Sequence, residues 1–90
     1  MLVDDETSLA WALAEAARPH LSPAERTNVH VAIAVGETFV VIHHLITSVA
    51  DRRITLTAEL VQQCTSWLDA YAGHEDERHL RGLLEYVRAP

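Results

Sequence analysis

Apolar residues recur along this chain at three- and four-residue intervals, and no stretch alternates strictly enough to read as a strand. Leu9, Ala12, Leu13, Ala16 and Ala17 share one face, which predicts a first helix from about Asp5 to Arg18. Acids open it, as the helix dipole favours, and Pro19 stops it. Trp11 falls off that face, on the side of Glu15 and Arg18.

Ser22-Pro23-Ala24-Glu25 reads as a capping box with proline at the first helical position. It predicts a second helix running from there to about Ala50. Only Gly36 interrupts this stretch, at a cost of about 1 kcal/mol relative to Ala. The β-branched run from Val31 to Ile46 would suit a strand, but it lacks alternation and follows a strong cap. After the loop Asp51–Thr55, Thr57 is placed to cap a third helix, about Ala58 to Ala72. Its apolar stripe is Leu60, Val61, Cys64, Trp67, Leu68 and Tyr71, and Gly73 is placed to end it. A fourth helix, about Glu75 to Arg88, buries Leu80, Leu83, Leu84 and Val87 and carries a Glu77–Arg81 pair. The expectation is an all-α, four-helix single domain with one long central apolar helix.

That central helix changes the picture. About 28 residues span about 42 Å, whereas a compact 90-residue domain is about 30 Å across. A kink at Gly36, an elongated bundle or a second chain would each resolve the mismatch. The simplest closed solution is a helical bundle completed by a two-fold dimer, with Ala32, Ala34 and Gly36 allowing close approach. The candidate interface is Trp11, Val35, Phe39, Ile42, His43 and Ile46. His43 reads as a core imidazole bonded to a backbone carbonyl, or as an interface group that loosens assembly when protonated.

On the same helical wheel Arg26, His30, Glu37, His44 and Ser48 fall within about 40° of one another. A narrow solvated stripe explains them. The competing reading is a metal site at His30, Glu37 and His44, perhaps completed by Glu75 and His79. Ligands seven residues apart are separated by about 10 Å of rise, so one ion would need donors from elsewhere.

Composition narrows the function classes. The net charge is −6 and every basic residue is Arg. Acidity disfavours nucleic acid and anionic membranes. A helix-turn-helix reading of residues 68–88 fails because His74-Glu75-Asp76-Glu77 would face the phosphates. One cysteine precludes an intrachain disulfide. There is no Gly-rich phosphate loop, and Ser22, Ser48 and Ser66 lack a nucleophile-elbow context. The acidic start does not resemble a signal peptide. These features together predict a cytoplasmic, non-enzymatic, cofactor-free protein. It is expected to homodimerise and to serve as a binding or regulatory module for another protein.

Overall fold

The computed structural model describes residues 5–89. Among them are five α-helices: α1 Asp5–Ala17, α2 Pro23–Ala34, α3 Thr38–Asp51, α4 Ala58–Asp69 and α5 Glu77–Val87. A 3-10 turn, Arg18–His20, follows α1. No strand occurs among the described residues, and no helix is long and apolar enough to cross a membrane. The contacts divide into two compact units, one up to Leu45 and one from Ile46 onward, and the division falls within α3.

In the first unit α1 lies against α2. It buries Leu9, Ala10, Leu13, Ala14 and Ala17, so the buried face contains alternating large and small side chains. This is a rotated version of the expected face: Ala16 is exposed, while Ala10 and Ala14 are buried. In a helix this rich in alanine, leucine positions alone set the face, and Leu9 and Leu13 suit either choice. The capping box forms as expected. Glu25 N–H donates to Ser22 Oγ at 3.2 Å, and Ser22 N–H donates back to Glu25 Oε1 at 3.0 Å. Two of the helix's orphan donors are thereby satisfied. α2 buries Val29 and Ile33.

The expected single helix from Ser22 to Ala50 is two helices. Gly36 adopts φ +87°, the left-handed region. Its N–H donates to Ile33 O, and Glu37 N–H donates to Ala32 O, both at 3.0 Å. This pair of bonds is a Schellman motif, which closes α2 by satisfying its last carbonyls. The chain then starts again at once: Val41 N–H donates to Glu37 O. The described residues therefore form five α-helices rather than four. Thr38, in the first turn of α3, is buried and donates its hydroxyl hydrogen to Glu6 Oε1, joining α3 to α1.

The second unit begins with Ile46, Val49 and Ala50, all buried. A second Schellman motif ends α3, with Arg53 N–H donating to Ala50 O and Ile54 N–H to Val49 O. Here the left-handed residue is Arg53, at φ 56°, so no glycine announces it. Thr57 caps α4 by accepting from Leu60 N–H. α4 and α5 pack together and bury Val61, Cys64, Trp67, Leu68, Leu80, Leu84 and Val87. Both helices are shorter than expected, because α4 unwinds at Ala70 and Gly73 sits at φ 92°. Leu56 exchanges backbone bonds with Val87 O and Ala89 N–H, tying the end of α5 to the loop before α4.

Candidate interaction site

Between Arg26 and Asp51 only Glu37 carries a formal charge, counting His as neutral. This stretch spans most of α2, the Gly36 turn and all but the last residue of α3. Some of its apolar side chains are not in the core. Val31 is 57% exposed, Val35 67% and Val40 59%. Val31 and Val35 are one helical turn apart, on the side of α2 opposite Val29 and Ile33. Ala24, Thr27, Asn28 and Ala34 share that outward side and are exposed too. The outward face of α2 thus combines small apolar and uncharged polar groups. At its flank His30 meets Trp11 of α1, with ring centroids 5.3 Å apart, and Trp11 is 43% exposed.

The structure separates the sequence-derived interface residues into two groups. Trp11 and Val35 are exposed. Phe39 and His43 are half-buried on α3, with ring centroids 6.5 Å apart. Ile42 and Ile46 have no exposed surface. Both are buried within the chain itself. Val31 and Val40, which were not among the sequence-derived residues, are exposed. The expectation of one long central apolar helix gave no reason to set them apart.

The His30/Glu37/His44 stripe does not survive the break at Gly36. His30 lies on α2, Glu37 in the turn and His44 on α3, and all three are exposed. Glu75 precedes α5, so it does not share a helix with His79. Among the described residues no three His, Cys, Asp or Glu side chains gather where they would hold a metal ion.

Two further polar features are structural. Arg81 donates to Glu77 Oε2 at 2.6 Å and to Asp69 Oδ1 at 2.8 Å, linking α5 to α4. The expected Glu77–Arg81 pair is present, but Asp69, twelve residues before Arg81, is beyond any helical spacing. Asp69 and Glu77 raise the guanidinium's pKa. Glu77 also accepts from Gly73 N–H at 2.9 Å, and that bond, with Arg81, lowers its carboxyl pKa. Cys64 is fully buried, and desolvation pushes its thiol up to about 12. A thiol so placed keeps its proton at neutral pH and serves as packing.

Comparison with protein-family models, with curated proteins and with solved structures finds no match.

Proposed function

We propose that this chain is a small acidic interaction or regulatory module, not a catalyst, and that it self-associates through the α2–Gly36–α3 segment. One observation carries the reading: Val31, Val35 and Val40 are each more than half exposed in the least charged stretch of the sequence. The Trp11 ring, packed on His30 of α2, is exposed as well. Exposed apolar side chains grouped on one helix face, as Val31 and Val35 are, suit an interaction surface.

Charge leaves one face open to a second copy. Two chains of net charge −6 repel each other wherever their acidic faces meet. The outward face of α2 is where two copies approach with least penalty. The area sets the strength. A seam built on these few side chains falls short of the roughly 1,200–2,000 Å² of standard specific complexes. The expected dimer is therefore weak and reversible, forming in the micromolar range.

Light scattering on sized fractions tests this. Val35→Glu places a carboxylate in the patch at a site that is two-thirds exposed, so the chain keeps its helicity and becomes monomeric. Tyr86→Glu, an equally exposed change on α5, leaves the dimer intact. A dimer that tolerates Val35→Glu would overturn the proposal.

A further inference from the structure

We infer that His74 is a pH-sensitive pin in the connection between α4 and α5: its neutral ring holds the Asp76 amide, and its protonated ring releases it. The device lies within the second unit and is independent of self-association. The connection, residues 70–76, reads Ala-Tyr-Ala-Gly-His-Glu-Asp. His74 N–H donates to Tyr71 O at 2.9 Å, and Glu77 N–H donates to His74 O at 3.1 Å, so the backbone is fixed on both sides of the residue. The ring is fixed as well. Asp76 N–H donates to His74 Nδ1 at 3.1 Å. The imidazole stands edge-on to Tyr71, with centroids 6.4 Å apart and an interplanar angle of 89°. Tyr71 in turn lies against the ring of the buried Trp67, at 5.1 Å.

A ring nitrogen of histidine accepts a hydrogen bond only while it carries no proton. The bond from Asp76 therefore places the single proton of the neutral ring on Nε2. A second proton can go only to Nδ1, where it would point at the Asp76 N–H. Two donors cannot share that position, so the bond breaks and the ring turns off the Tyr71 edge. Histidine is the side chain whose ordinary charge change falls between pH 5 and 8. The charged and titratable groups of this loop and of the helices it joins are Asp69 on α4, Tyr71, Glu75 and Asp76 in the loop, and Glu77, Arg78, His79 and Arg81 on α5. The carboxylates of Glu75 and Asp76, next to the ring in the chain, give an imidazolium acceptors once it has turned. A second set of bonds across the loop stays closed. Glu77 accepts from Gly73 N–H and from Arg81, and Arg81 also donates to Asp69. The Glu77 carboxyl is held below its ordinary value and the Arg81 guanidinium above its own, so both keep their charge across this range. The change is thus confined to His74 and its contacts, while α4 and α5 stay joined.

Nuclear magnetic resonance on the nitrogen-15-labelled full chain tests this between pH 8 and pH 5. Long-range nitrogen–proton spectra read which ring nitrogen of His74 carries the proton, and they follow the His79 ring separately. Exchange of the Asp76 amide with water, corrected for its intrinsic pH dependence, reads the bond. At pH 8 the expected ring is protonated on Nε2 alone, and the Asp76 amide exchanges about fivefold more slowly than a free one. That protection is lost along the titration curve of the His74 ring. His74→Asn puts an oxygen, Oδ1, at the same number of bonds from the backbone as Nδ1, but it does not titrate. Because His74 is exposed, the substitution leaves the core untouched. In this variant the protection is expected to persist to pH 5 with no step. A ring protonated on Nδ1 at pH 8, an Asp76 amide that ignores the His74 titration, or the same step in His74→Asn would each overturn the inference.

Discussion

Replacing Gly36 by Ala isolates a pure backbone effect. A Cβ built there meets no atom within 4 Å, so no side-chain clash contributes. The residue nevertheless holds φ +87°, where an L side chain crowds its own carbonyl. That strain costs roughly 1–2 kcal/mol. Ala also narrows the unfolded ensemble, which returns about 0.4–1 kcal/mol where the native conformation is compatible and is outweighed where it is not. The expected net loss is about 1 kcal/mol, or about 4–8 °C in Tm for a domain of this size. Gly82 supplies the matching control. It lies inside α5, its Cβ would also meet open space, and its conformation is helical. There Ala is expected to gain roughly 0.5–1 kcal/mol. Urea unfolding followed by circular dichroism reads both signs. If Gly36→Ala were neutral or stabilising and raised the helical signal, the Schellman break would be wrong and α2 would run directly into α3.

Cys64 should resist alkylation at pH 8 in native buffer and react only as urea unfolds the chain, since its thiol is fully buried and its pKa is pushed up to about 12; full labelling without denaturant would show that the α4 stripe opens. Glu77 is held below its ordinary carboxyl value of 4.5 by Gly73 N–H and Arg81, so the folded chain binds this proton less readily than the unfolded one. Its contribution is therefore present above that value and lost as pH falls through the lowered one. Glu77→Gln should be less stable than wild type at pH 7, and the gap should close toward pH 3; a gap independent of pH would mean the charge does not matter.

What the sequence disclosed follows from how local each signal is. The Ser22 capping box uses groups three residues apart and needs nothing else from the fold, so it reads directly from the chain. Thr57 and the α4 stripe are of the same kind. Gly36 was visible as well, but its meaning depended on a competition. Tolerating a glycine within a helix costs about 1 kcal/mol, whereas a Schellman motif there satisfies two carbonyls and frees α3 to turn. Nothing local decides between them. Arg53 takes the same left-handed role with no compositional mark at all. The face of α1 was ambiguous because alanines surround its leucines. The candidate site was legible as a long apolar helix with Trp11 lying off the main face of its neighbour. Which apolar residues stay outside was not, because helical spacing alone does not separate the buried Ile42 and Ile46 from the exposed Val31 and Val40.

Self-association is the central claim, and sedimentation equilibrium on the wild-type chain over a wide concentration range tests it most directly. The account expects a single reversible monomer–dimer equilibrium with a midpoint in the micromolar range, abolished by Val35→Glu. A monomer at every concentration, or a dimer indifferent to that substitution, would contradict it.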